Sequence, residues 1–221
     1  METSLHRELK AIYAGDAAQT EVRLGRFRID AVVDDELVEV QHGSLAAIRD
    51  KIAALLRKHH VRVVKPLVVR KTLIKRAKAG GRVIERRASP KRAVLWDLFH
   101  ELIYFTRVFP HRRLTLEVPL VEVEEWRFPG HGRRRRWRRS DFEVEDQKLV
   151  AVTGEHVFRT AGDLTALLPH TLPCPFHTGD LAHAAEINRF TACRIAYCLR
   201  KMGAVEPIGK RGNAVLYRRA A

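Results

Sequence analysis

The stretch Val61–Val69 constrains the fold more than any other segment. It is rich in valine and nearly continuously apolar, the pattern of a strand buried on both faces. Such a strand needs cover above and below. Upstream, the alternating runs Phe27–Val33 and Glu36–Gln41 flank Asp34-Asp35 and predict a hairpin with a two-residue turn. Ser44 is placed to cap a helix over 45–58. Strand, helix and strand over 36–69 then make a right-handed crossover unit. A short helix over 4–14 precedes it, with Leu5, Leu9, Ile12 and Tyr13 on one face, and Glu21–Leu24 reads as a further strand. The fold class is α/β.

Downstream the pattern is less regular. Lys71–Arg76 reads as a strand and the basic stretch 77–91 as a loop. Ser89-Pro90 is a helix start for a segment reaching Phe105. Leu114–Trp126 and Phe142–Val152 read as strands. The C-terminal residues change character after the proline-rich stretch Pro169–Pro175. A short helix Gly179–Ala185 capped by Thr178, a longer helix Arg189–Met202 and two strands, Val205–Ile208 and Ala214–Arg218, follow in the order of a winged helix. This divides the chain into residues 1–150, with a core at 4–70, and residues 151–221, with a core at 174–219.

Forty-one Lys and Arg face 26 Asp and Glu, a formal charge of +15 over 221 residues. Charge of that size on structured segments fits a polyanionic partner, because each neutralised phosphate releases a counterion. No apolar run approaches the length of a membrane span and the first residues lack a signal-peptide core, so no membrane partner is expected. Three cysteines, Cys174, Cys193 and Cys198, are too few for a disulfide framework and suit a reducing cytoplasm. With His177 they are loosely spaced for zinc, and buried thiols are the stronger reading.

Candidate chemistry lies on the hairpin. With a two-residue turn, opposed positions sum to 69, so Asp30 faces Glu39. Like charges opposed across a ladder repel, and a shared divalent cation offsets the cost. Glu8 shares the apolar face of the first helix, where an acid needs a metal or a base such as Arg28. The alternative leaves Asp30 and Glu39 on a solvated face.

Helical Glu8, Asp30 on one strand, Glu39-Val40-Gln41 on the next, then a helix and a buried strand resemble the PD-(D/E)XK nuclease superfamily, in particular its Holliday-junction-resolvase-like branch. The resemblance covers residues 4–70. It implies a restriction-endonuclease-like mixed sheet flanked by helices, Mg²⁺ or Mn²⁺ dependence and phosphodiester hydrolysis. Asp30, Glu39 and the Val40 carbonyl would be metal ligands, and Glu8 would bind metal directly or through water. Two departures stand out: Ile29 precedes Asp30 where Pro is usual, and Gln41 replaces the usual Lys, although some members carry Gln there. Gln cannot supply positive charge to a developing phosphorane; Lys51 on the following helix is the substitute.

The nucleic-acid contacts expected are Arg189, Thr191, Arg194, Arg200 and Lys201 on the longer C-terminal helix, and Lys210 and Arg211 at the wing tip. The tract Arg133, Arg134, Arg135, Arg136, Trp137, Arg138, Arg139 adds a phosphate clamp with one stacking ring. The expectation is a Mg²⁺-dependent DNA endonuclease acting on duplex or branched DNA, with a homodimer allowed. Its rivals are a nuclease fold without activity that binds DNA as a regulator, and an RNA-processing nuclease.

Overall fold

A computed structural model describes residues 3–15, 19–130 and 141–220. Helix α1 (Ser4–Ala14) is capped by Thr3 and buries Leu5 and Leu9. Strands β1 (Gln19–Leu24), β2 (Phe27–Val33) and β3 (Glu36–Val40) form an antiparallel meander. The β2–β3 pairs Ala31/Val38, Val32/Leu37 and Val33/Glu36 each sum to 69. Asp34 and Asp35 both have positive φ, 46° and 65°, the backbone a two-residue hairpin turn demands.

Ser44 caps a 3-10 turn, Leu45–Ala47, rather than a long helix; helix α2 (Arg49–Leu55) follows. The chain then enters β4 (His60–Val64), parallel to β3. The apolar run Val61–Val69 is two strands, divided at Lys65-Pro66. Proline has no N–H for a ladder, so β4 ends at Val64 and β5 (Leu67–Arg76) begins afresh. Both lie end to end along one edge of the long strand β7 (Leu114–Pro129), β4 against Leu114–Glu117 and β5 against Leu120–Arg127. Strand β6 (Val83–Ala88) pairs with β5, and β8 (Phe142–Phe158) runs along the other edge of β7.

Two expectations for the middle of the chain are corrected. The basic stretch 77–91 contains β6, which is exposed along its whole length and so carries no alternation. Ser89 starts no helix: its N–H extends the β5–β6 ladder by donating to the Lys71 carbonyl. Helix α3 is only Leu98–Leu102, behind a 3-10 turn at Leu95–Asp97.

Helix α1 covers one face of the sheet, over Val38, Val40, Val64, Val121 and Val123. The other face is covered by α2 and α3 and by three C-terminal helices, α4 (Ala161–Thr165), α5 (Thr178–Ala184, capped by His177 rather than Thr178) and α6 (Arg189–Lys201). A hairpin, β9 (Val205–Arg211) and β10 (Ala214–Arg219), ends the chain. Leu181, Ile195, Cys198, Leu199 and Val205 share one continuous core with Phe99, Leu102 and Leu116. A boundary at 150/151 would cut β8 in its middle. The C-terminal helices therefore roof the sheet instead of forming a core of their own. No helix among the described residues is long and apolar enough to cross a membrane.

Under the end of α1, a charged network crosses the sheet. The Tyr13 hydroxyl donates to Glu155 at 2.6 Å, Arg62 pairs with Glu36 at 2.6 Å, and Arg62 lies 3.7 Å from Glu117. Burial, and then the hydrogen bond with Glu155, raise the Glu117 carboxyl from an ordinary 4.5 to about 7. The folded state thus binds a proton that the unfolded chain releases. The stability this confers is complete below the unfolded value near 4.5 and is lost as pH rises through about 7. Glu117→Gln, which mimics the protonated form, should leave Tm nearly unchanged at about pH 4 and raise it above wild type at about pH 8. Thermal melts across that range check the sign.

Candidate active site

Asp30 and Glu39 lie one step beyond the last paired residues of the β2–β3 hairpin, Ala31 and Val38. Their side chains go to different helices. Asp30 Oδ2 accepts a 2.9 Å hydrogen bond from the Val40 backbone N–H. Its Oδ1 lies 3.5 Å from His6 Nε2 and 3.6 Å from Lys10 Nζ, both on α1. Glu39 is buried and receives Lys51 of α2, whose Nζ donates to its two oxygens at 2.6 and 2.7 Å. Lys51 also donates to the Arg28 carbonyl. Lys10 in turn pairs with Glu21, which also holds Arg28.

The two carboxyls are pushed in opposite directions. Burial raises the Asp30 carboxyl, but the His6 hydrogen bond, the Val40 N–H and the charge of Lys10 together outweigh it, and the net shift is downward. Burial also raises Glu39, and the nearby Asp30 charge adds to it; Lys51 opposes both without reversing them. One carboxyl is secured as an anion and its neighbour is the better proton acceptor.

Asp30, Gln41, His6, Lys10, Glu21 and Arg28 line an open cleft of about 440 Å³. Its rim loop is built on a buried amine. Lys65, at the break between β4 and β5, is 5% exposed and donates to the carbonyls of His42 and Gly43 at 3.0 and 2.6 Å. From α3, Glu101 accepts from Ser44 Oγ and the Leu45 N–H, each at 2.9 Å. The Gln41 amide donates to the Ser44 carbonyl at 2.8 Å. The His42 imidazole is shifted down by burial and by Lys65 and Lys71.

Of the expected set, Asp30 and Gln41 line the cleft, with Val40 contributing its N–H to Asp30, whereas Glu39 and Lys51 pair with each other on the α2 side, so the Asp30 and Glu39 side chains do not face each other as the hairpin register predicts. Glu8 does not join them. Its carboxylate accepts from the Leu149 N–H of β8 at 2.6 Å, beside a register shift in the β7–β8 ladder. At 100° per residue, position 8 lies on one flank of the buried Leu5–Leu9 stripe and positions 6 and 10 on the other. The residues missed, His6 and Lys10, were legible from that geometry once α1 was placed over β2. Glu21 sits at positive φ, 57°, in β1, which the alternation does not reveal. Among the described residues, no group of three or more His, Cys, Asp or Glu converges as a ready metal cage.

In the C-terminal segment, Arg189, Arg200 and Lys201 of α6 and Lys210 and Arg211 of β9 are exposed, although Arg211 pairs with Asp180 at 3.2 Å. Arg194 is half-buried, 2.6 Å from His100. Thr191 is buried and its N–H is taken by the Asn188 cap, so it offers nothing to a ligand. Arg133–Arg139, with Trp137, lie outside the described residues. Cys198 is buried and its thiol is pushed up to about 12 by that burial, while Cys174 and Cys193 are exposed.

A mixed α/β sheet with a carboxylate pair at the open end of a hairpin is the class of protein that fold and site define. The chain belongs to the family of the domain of unknown function DUF8091, whose model matches residues 3–159 and so ends one residue past β8. A protein of Treponema pallidum (strain Nichols), described as an uncharacterized protein, is 31% identical over 220 residues, spanning 99% of this chain and 85% of its own. No solved structure matches the chain.

Lys51→Met strands Glu39 as a buried, unpaired acid. It should cost about 3 kcal/mol of stability at neutral pH, because removing one partner leaves the other desolvated. Adding Glu39→Gln should recover most of that loss. Urea unfolding of the single and double variants measures both.

Proposed function

We propose that the protein is a divalent-metal-dependent phosphodiesterase of the PD-(D/E)XK kind that acts on DNA, with Asp30, Glu39 and Lys51 at its centre. The observation that carries this reading is the open end of the hairpin, where Asp30 lines a cleft with Lys10 and Arg28 while the Glu39–Lys51 ion pair lies next to it on the α2 side. The order α1, β1–β2–β3 meander, α2, parallel β4 agrees with the restriction-endonuclease-like core that the sequence resembles. In the same reading α5, α6 and the β9–β10 hairpin act as a winged helix held against that core.

The donor chemistry fits Mg²⁺ or Mn²⁺. Mg²⁺ is commonly held by one or two carboxylates and completes its shell with waters and substrate phosphate, so Asp30 on the cleft wall would hold it, with Glu39 as the second acid if it exchanges Lys51 for the metal. When bound, the metal supplies Lewis-acid polarisation of the phosphoryl group and an activated water. Asp30 is kept ionised by His6 and Lys10, ready as a ligand. Lys51, held by Glu39 and the Arg28 carbonyl beside the cleft, would be the substitute for the positive charge that Gln41 lacks. Arg28 and Lys10 on the cleft wall suit the flanking phosphates. Gln41 favours one rival, a DNA-binding protein without activity, since its amide is engaged with Ser44.

Supercoiled plasmid and folded RNA, each with Mg²⁺, Mn²⁺ or EDTA, separate these readings. Wild type should nick plasmid only with metal. Asp30→Asn and Glu39→Gln should each abolish nicking with DNA binding intact. Lys51→Ala should slow it by about a hundredfold or more, and Gln41→Lys should be nearly neutral. Cleavage of neither polymer, with no metal bound, leaves the inactive binding protein standing. Binding itself should weaken steeply with salt, as log affinity against log salt, because the net charge is +15. A flat dependence removes the nucleic-acid reading altogether.

A further inference from the structure

Helix α6 was expected to present cations, but its exposed face is aromatic as well. Phe190 is 62% exposed, Tyr197 41%, and Tyr104, beside the end of α3, 50%. Phe190, Cys193, Arg194 and Tyr197 stand at helical spacing along one open groove, with Ile103 and Tyr104 opposite. This is not a core stripe: Ala192, Ile195, Ala196 and Leu199 on the other side of α6 supply that. Each ring of the helix carries a cation. The Arg194 guanidinium lies 4.2 Å from the Phe190 centroid and the Lys201 amine 5.9 Å from that of Tyr197. His100 stacks on Phe190 from α3, with centroids 6.1 Å apart.

Exposed rings cost solvation unless something covers them. A protein partner with an acidic surface would meet the cations but would not need flat, separated rings. Aromatic faces interleaved with bases are what unpaired nucleotides require, since every base has a face to stack and every linkage a charge. An uninterrupted duplex hides its base faces and offers only edges, which call for hydrogen-bond donors rather than rings.

We propose that the α6 groove binds the unpaired nucleotides of a partly single-stranded DNA, stacking bases on Tyr197 and on the exposed part of Phe190, which Arg194 backs, while Arg189 and Lys201 take the phosphates. This rests on the nucleic-acid reading above and narrows its substrate to DNA with a single-stranded branch, tail or gap. The groove is also tied to the cleft. His100 contacts α6, and the next residue, Glu101, holds the Ser44–Leu45 loop, to which Gln41 is bonded. A strand in the groove therefore meets the same α3 that fixes the rim of the carboxylate site.

The test uses full-length protein in EDTA at fixed ionic strength. Fluorescence anisotropy compares a blunt duplex with the same duplex carrying a single-stranded tail. A stacking-sensitive fluorescent adenine analogue in the tail reports ring contact. Wild type should prefer the tailed DNA and quench the analogue. Phe190→Leu with Tyr197→Leu keeps the apolar bulk and removes the rings. It should lose roughly tenfold in affinity for the tailed DNA per stacked base and abolish the quench, with duplex binding nearly unchanged. Phe190→Ala with Tyr197→Ala, checked for folding by its melting temperature, should behave alike. Equal binding of both DNAs by wild type, or full tail affinity in a folded variant, overturns the groove and leaves DNA binding standing. Binding of neither DNA overturns the nucleic-acid reading itself. A wild-type dimer in sedimentation that the variants dissociate assigns the face to a second copy and also overturns the proposal.

Discussion

Strand β7 is hydrogen-bonded on both edges, and the rest of the sheet is arranged by that fact. One edge takes β8 along nearly its whole length. The other is shared by two shorter strands, β4 and then β5, because Pro66 interrupts what would otherwise be a single long strand. The break does more than divide a ladder. It leaves Lys65 at the turning point, 5% exposed, and burial pulls its amine below the usual lysine range. A buried amine needs acceptors, and it finds them in the His42 and Gly43 carbonyls. The loop after β3 is thereby held in one place, and that loop edges the carboxylate cleft.

The cleft depends equally on where the hairpin stops pairing. Had β2 and β3 remained paired through Asp30 and Glu39, Val40 would have met a backbone carbonyl. Instead its N–H goes to the Asp30 carboxylate, and hydrogen bonding of this kind favours the anion. Glu39, drawn toward α2, has only Lys51 as a cation against strong desolvation. Two acids that begin from neighbouring positions end with different proton affinities because two helices on opposite faces of the sheet claim them. In the nuclease reading that asymmetry suits a site in which one acid serves as a constant ligand and the other responds to the substrate's charge.

What the sequence made legible follows the strength of local constraint. The hairpin register was readable because period-two alternation and a two-residue turn leave no freedom, but the pairing stops before Asp30 and Glu39, so the opposition extrapolated from that register is not realised in their side chains. Lys51 was placed beside the site because α2 begins a few residues after β3. Glu8 was misplaced because a short helix shows which stripe is buried but not which flank meets which strand. Strand β6 was invisible because all its side chains are exposed. Ser89-Pro90 carries a helix-start signal that the β5–β6 ladder overrides through one backbone bond, tertiary pairing winning over local propensity. The shared core of the C-terminal helices was equally hidden: their apolar faces specify burial without specifying against what.

The same limit explains why α6 was read as a row of cations. Charge is visible in any order of residues, whereas an exposed ring is distinguishable from a core ring only after the helix is docked. Once Ile195, Cys198 and Leu199 face the core, Phe190 and Tyr197 are forced outward, and rotating α6 to bury them would expose that apolar side. The packing that roofs the sheet therefore also creates the aromatic face. Because α3 lies beneath α6 and beside the cleft loop, the two surfaces cannot shift independently without disturbing Phe99 and Leu102 in the common core. Close packing of this kind resists small displacements, so a polymer touching both would meet a fixed spacing rather than two mobile modules.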